Sequence, residues 1–196
     1  MQNLKLFLVF ILLFLTQNVF SASISFNPAV PSVNQGDLVT VDVMMNDLQA
    51  PVATELGAFA LTVGFDQSIL AFESLVYSGF LGDTLDPFET SITTGVNVGS
   101  INLDNFSFLF DFELEALQGP SFVLASLTFS ALNIGSSALI FSGLEFSDGF
   151  FADITADVSA TTGVVNVSAV PVPGALMLLI SGFLTFVLSR KKVTSH

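Results

Sequence analysis

The sequence predicts an all-β domain, an antiparallel sandwich, over residues 22–169 of a 196-residue chain. Apolar and polar residues alternate with period 2 in several short runs, and side chains two apart share one face of a strand. Clusters of Gly, Asn, Asp, Ser and Pro separate those runs. No amphipathic helical pattern longer than about two turns survives between them. Roughly 150 residues suit one domain with a core of its own.

The chain opens with an export signal. Met1 to Lys5 give a short positive region, and Leu6 to Leu15 an apolar stretch of signal-peptide length. Val19-Phe20-Ser21 places small or modest residues before a cut after Ser21, so residues 1–21 are expected to be removed. A retained membrane helix is the alternative.

Strands follow in order. Val39-Thr40-Val41-Asp42-Val43 alternates cleanly, as does Phe59 to Phe65 when the small residues form one face. From 106 to 115 a longer alternation puts Phe106, Phe108, Phe110, Phe112 and Leu114 on one side. Ser107, Leu109, Asp111, Glu113 and Glu115 fall on the other, which reads as a strand. Phe122–Phe129, Ala138–Phe146 and Thr162–Val167 are further strands. Turns are expected at Asn34-Gln35-Gly36-Asp37, Gly82-Asp83, Gln118-Gly119-Pro120, Asn133-Ile134-Gly135 and Ser147-Asp148-Gly149.

The tail is a separate device. Pro171 and Pro173 forbid a regular helix in Val170-Pro171-Val172-Pro173-Gly174-Ala175. Residues 175–188 carry no charge and read as a transmembrane segment, short for a span of about 20 residues. Arg190, Lys191 and Lys192 form a basic stop on the cytoplasmic side. An ordinary membrane anchor is one reading. The other is a resemblance: residues 170–196 resemble the PEP-CTERM sorting signal, with Val172 where the namesake motif carries Glu. That resemblance implies an exosortase-type transpeptidase as partner, removal of the apolar tail near Pro173 or Gly174, and a Gram-negative, exopolysaccharide-making host. The protein would pass through the inner membrane to the cell surface or extracellular matrix.

Charge is divided as sharply. Lys5, Arg190, Lys191 and Lys192 are the four Lys and Arg residues, and all 17 Asp and Glu lie within 22–169. The domain therefore has a formal charge of −17 and no side-chain cation. Nucleic acid and anionic lipid are excluded as direct partners, since phosphates are bound by basic residues. Each carboxylate must be solvated, hydrogen-bonded or held by an outside cation. Cysteine is absent, which removes thiol chemistry and cysteine zinc sites.

A second resemblance covers nearly all of 23–168. Asp37 to Val43, Glu55 to Phe72 with its Phe65-Asp66…Leu70, Gly119 to Phe129, Phe146-Ser147-Asp148-Gly149 and Thr162 to Val167 together resemble a cohesin domain in order and spacing. The resemblance implies a nine-stranded jelly-roll related to some carbohydrate-binding modules. It also implies a non-catalytic module that binds a dockerin-like protein through one sheet face, or a matrix component. A carbohydrate-binding module of the same sandwich type and a structural matrix protein with no specific ligand are the alternatives.

Catalysis finds no support in the residues. His, Cys, Lys and Arg are all missing from 22–169, so nucleophile–base pairs and phosphate clamps cannot be assembled. Calcium is the one cofactor the sequence suggests. Asp83, Asp86 and Glu89 share a loop; Asp111, Glu113 and Glu115 line one face of the expected strand about 7 Å apart. Asp148 and Asp153 flank another loop, and a solvated acidic surface is the favoured reading of all three groups, with calcium the alternative. A polysaccharide partner would want aromatic platforms. Trp is absent, Tyr77 is the one Tyr, and the 22 Phe lie mostly on apolar strand faces. Phe80, Phe88 and Phe150-Phe151 sit in loops, where they read as core or as an interface.

Overall fold

A computed structural model describes residues 22–49, 52–53, 55–170 and 178–184. The signal peptide 1–21, the motif residues Pro171, Val172, Pro173, Gly174 and Ala175, and the basic stop Arg190, Lys191, Lys192 lie outside the described residues. Val170 is described and exposed. Of the expected membrane segment 175–188, residues 178–184 are described, and they are helical and exposed. Among the described residues no helix is long and apolar enough to cross a membrane.

Residues 22–168 form the predicted sandwich. Its eleven strands are β1 (Ala22–Asn27), β2 (Ser32–Asn34), β3 (Leu38–Asn46), β4 (Leu56–Gly64), β5 (Leu70–Tyr77), β6 (Thr90–Asn97), β7 (Ser100–Ser107), β8 (Phe122–Ala131), β9 (Gly135–Asp148), β10 (Val158–Ala160) and β11 (Gly163–Ser168). One sheet has the order β10-β1-β3-β8-β5, the other β2-β11-β9-β4-β7-β6. Neighbours are antiparallel except β1 with β10 and β2 with β11. Nine strands were expected; the short β2 and β10 are among the eleven found.

The period-2 readings place the core correctly. Val39, Val41, Val43 and Met45 of β3 face Phe59, Leu61 and Val63 of β4 across the sandwich, and all are buried. Phe129 of β8 receives the ring edges of Phe65 and Phe72. The core runs from Ala22 to Val167 with every member inside the sandwich. Among the described residues the whole core cluster comes from 22–167, the make-up of a domain with a core of its own.

One expected strand is a helix. β7 ends at Ser107, and Asp111–Leu117 forms a two-turn helix, α1. Glu113 accepts a hydrogen bond from the Phe110 amide at 2.9 Å, which caps the first turn. Asp111 and Glu113 also sit where the helix dipole favours negative charge. Within α1 Leu114 is buried while Phe112 stays exposed. Phe108, Phe110 and Phe112 stay exposed, so no sheet layer covers them to hold a strand face. Asp111, Glu113 and Glu115 are therefore spread around a helix, since residues two apart lie about 200° apart on its surface.

Candidate functional site

The two sheets present different outer faces. β4 lies between β7 and β9, and its outward residues Ala58 and Ala60 are small. Ala60 pairs with Asp104 on one side and Glu145 on the other; Ala58 pairs with Phe106 and Ser147. The low floor lies between taller neighbours and opens a groove of about 540 Å³. Two irregularities in the β4–β9 pairing shape it, one between Leu56 and Ala58 and one between Ala60 and Thr62. At the first, a Cβ on Gly57 would lie 2.4 Å from the Asp148 carbonyl oxygen, so glycine is required there.

A loop after β9 makes the far wall. Asp148 accepts from the amides of Phe150 and Ala152 at 2.9 and 2.8 Å. Phe151 adopts φ 65, a left-handed conformation that aromatic residues rarely take. Its ring stacks on Phe106, centroids 5.3 Å apart and planes 1° from parallel. Thr155 closes the loop by accepting from the Phe146 amide at 2.8 Å. Asp153, also on the groove, accepts from the Thr155 amide at 2.9 Å, and hydrogen bonding to Thr155 holds its pKa below the usual carboxylate value.

Asp104 and Glu145 are in the opposite condition. Among the described residues no hydrogen bond reaches either carboxylate. Burial, and then the negative charge of Glu145, raise the pKa of Asp104. Beneath them Tyr77 crosses from β5 of the other sheet. Its hydroxyl donates to the Thr93 carbonyl at 3.1 Å and accepts from the Asp104 amide at 3.2 Å. Burial raises the pKa of that phenol. Asn105, next in the chain and 1% exposed, has neither amide oxygen nor nitrogen partnered.

Phenylalanine spreads from the groove over one end of the sandwich. Phe106 touches both Phe108 and Phe151, and Phe110 stacks with Phe112 at 5.8 Å. The Phe108 amide bonds the Glu89 carbonyl, which brings the loop of Phe88 alongside. Phe88 is 87% exposed and Phe150 71%. Of the loop phenylalanines singled out in the sequence, Phe80 alone packs inward, against Phe122. Phe88, Phe150 and Phe151 form a surface, so the core reading fails for them.

The calcium candidates do not converge. Asp83 accepts from the Leu85 amide, Asp86 from the Phe88 amide and Glu89 from the Asp83 amide, all at 2.8–2.9 Å. These carboxylates build the loop itself. Among the described residues no three acidic side chains are grouped to hold a metal ion.

Neither family models nor curated proteins yield a match to the chain. Solved structures do. A cohesin from Clostridium acetobutylicum is 22% identical over 76% of this chain and 91% of its own, with a TM-score of 0.57. A type I cohesin–dockerin complex from Clostridium thermocellum contributes a chain 13% identical, covered to 96%, at TM-score 0.61 over 77% of this chain. The seventh ScaB type I cohesin from Pseudobacteroides cellulosolvens is 14% identical at TM-score 0.62, over 78% of this chain and 96% of its own. At such identities the likeness is one of fold: the chain is a two-sheet sandwich of the cohesin kind.

Proposed function

We propose that this protein is an exported, non-catalytic binding module that holds a protein partner on the outer face of the β9-β4-β7-β6 strands. The observation that carries the reading is the open groove on that face. It has a floor of two alanines, an aromatic wall and two carboxylates with no hydrogen-bond partner in the described structure. Both carboxylates are exposed and flank Ala60 from the neighbouring strands, where a partner can reach them. The cohesin-like fold, seen in a neighbour solved with a dockerin, supports a dockerin-like protein as the occupant. The absence of His, Cys, Lys and Arg from 22–169 supports a role without chemistry.

A polysaccharide ligand is the second reading, favoured by the exposed ring of Phe151 beside Asp104 and Glu145. Titration calorimetry of the 22–170 domain against a dockerin module and against a panel of soluble glycans separates the two. Protein binding with silent glycans is expected; glycan binding alone would reverse the assignment.

Delivery rests on the two ends of the sequence. The leader 1–21 supports export, and residues 170–196 support sorting by an exosortase-type enzyme to the cell surface or matrix. Mass spectrometry of the mature protein is the test. A C-terminus near Pro173 or Gly174 is expected, and an intact His196 would refute the sorting.

A further inference from the structure

We infer that the phenylalanine-covered end of the sandwich, together with the groove beside it, docks an apolar segment of a partner protein that carries lysine or arginine. This rests on the protein-binding reading above and specifies the partner's chemistry.

The apolar half of the match is the Phe surface. Phe88, Phe110, Phe112 and Phe150 are each more than 60% exposed. Phe110 stacks with Phe112, Phe106 contacts Phe108 and Phe151 at the groove, and Phe88 and Phe150 stand in the adjoining loops. Singly exposed apolar side chains are ordinary; several exposed phenylalanines gathered at one end of a domain mark a contact surface.

The charged half follows from complementarity. A domain at −17 with no cation repels a second copy of itself and any phosphate-bearing surface. What it attracts is positive. Asp104 and Glu145 flank Ala60 from adjacent strands, so their backbones stand about 10 Å apart. An ammonium or guanidinium entering over the Ala60 methyl meets both carboxylates. It offsets the negative charge of Glu145, which adds to burial in raising the pKa of Asp104. Phe151 and Phe106 line the same groove and give its apolar wall.

Position agrees. The chain leaves the sandwich at the opposite end, where the Ser168 carbonyl accepts from Gln35. β9 spans the whole length, with Gly135 beside Val167 and Asp148 beside Leu56. Its 14 residues cover roughly 40 Å. A domain held through residues beyond Val170 presents its Phe end outward.

The test uses the 22–170 domain and three synthetic peptides of about 15 residues with helical spacing. One is built of Leu and Lys, one of Leu and Glu, one of Ser and Lys. The Leu/Lys peptide is expected to bind at least about tenfold more tightly than either counterpart. The double variant Phe110→Ser, Phe112→Ser and the single variant Glu145→Gln should each weaken it severalfold, while Glu73→Gln on β5 leaves it unchanged. Equal binding of the Ser/Lys peptide would overturn the inference, by showing charge alone at work. So would an equal loss in Glu73→Gln, or no loss in the Phe variants. Circular dichroism of each variant guards against misfolding. A dockerin module that binds regardless of these substitutions overturns the inference while leaving protein binding intact. Binding to the glycan panel with no protein or peptide bound removes the parent reading itself.

Discussion

The outer face of the β10-β1-β3-β8-β5 sheet and that of the β9-β4-β7-β6 strands are made of similar residues put to different ends. On the first, polar side chains satisfy one another across strands. Ser126 donates to Asp42 at 2.6 Å, Thr40 and Thr128 share a hydroxyl contact at 3.0 Å, and Asn46 donates to Ser25 at 2.9 Å. On the second, Thr62 and Asn102 make such a pair at 3.0 Å, but one row along Asp104 and Glu145 stand apart over Ala60. Both carboxylates of that row are exposed, so a cation could reach them in place of water. The comparison teaches that acidity alone does not mark a site in this domain. The marker is a pair of carboxylates flanking one small residue beside an aromatic wall.

The largest expected effect breaks the groove itself. Gly57→Ala drives a methyl into the Asp148 carbonyl, where β4, β9 and the Phe151 loop meet. A loss of more than about 2 kcal/mol is expected in urea unfolding. A wild-type midpoint would show that the bulge is not needed. Next comes Asn105→Leu, which removes a buried amide without partners while keeping a γ-branched shape. Stability should rise by about 1–2 kcal/mol. A fall would mean that the amide is satisfied by water.

A crossed pair of substitutions sharpens the contrast between the faces. Asp42→Ala loses the Ser126 bond and should cost about 1 kcal/mol with partner binding unchanged. Glu145→Gln should do the reverse, weakening binding at no cost in stability. If both variants lose binding equally, the faces are not distinct in function.

The smallest effect depends on pH. Asp104 has a raised pKa in the fold, so its ionised form penalises the folded state above that pKa and the penalty is relieved as pH falls through it. Asp104→Asn should therefore stabilise the domain at pH 7 by less than about 1 kcal/mol, since solvent screens much of the effect. The gain should vanish below the ordinary carboxylate range, about pH 4. Asp66 and Asp153 have the opposite sign. Hydrogen bonds from Ser68 and Thr155 lower their pKa values, so their contribution is present at neutral pH and lost as pH falls through the lowered values. Thermal melts from pH 7 to pH 3 test both; a constant gain across that range would remove Asp104 from the account.

Much of the sandwich was legible in the sequence. β3, β4, β8, β9 and β11 bury alternate side chains, and alternation is what the residues display. β5 and β6 were not named. An irregularity between Phe72 and Ser74 breaks the period of the first, and the second is a polar edge strand with little to alternate. The 106–115 stretch misled for a physical reason. Its phenylalanines have the spacing of a strand face, but no second layer covers them, and capping by Glu113 decides for helix. The groove was beyond reach of any local pattern. Asp104 and Glu145 meet because β4 runs between β7 and β9, a fact of topology. The visible hint was the run of small residues at 58 and 60, paired with loop phenylalanines at 150 and 151. Among the acidic groups, sequence proximity pointed to Asp83, Asp86 and Glu89, whose oxygens the backbone already occupies.

β9 joins the two ends of the molecule, and this has a mechanical meaning. For a protein tethered beyond Val170 and gripped at the groove, tension enters at Glu145 and leaves through β11. Ladder hydrogen bonds lie across the strands, perpendicular to that pull. The five residue pairs between β9 and β11, and the three between β11 and β2, are therefore loaded in shear together instead of unzipping one at a time. A sandwich tethered and gripped in that way would resist the pull through both ladders at once.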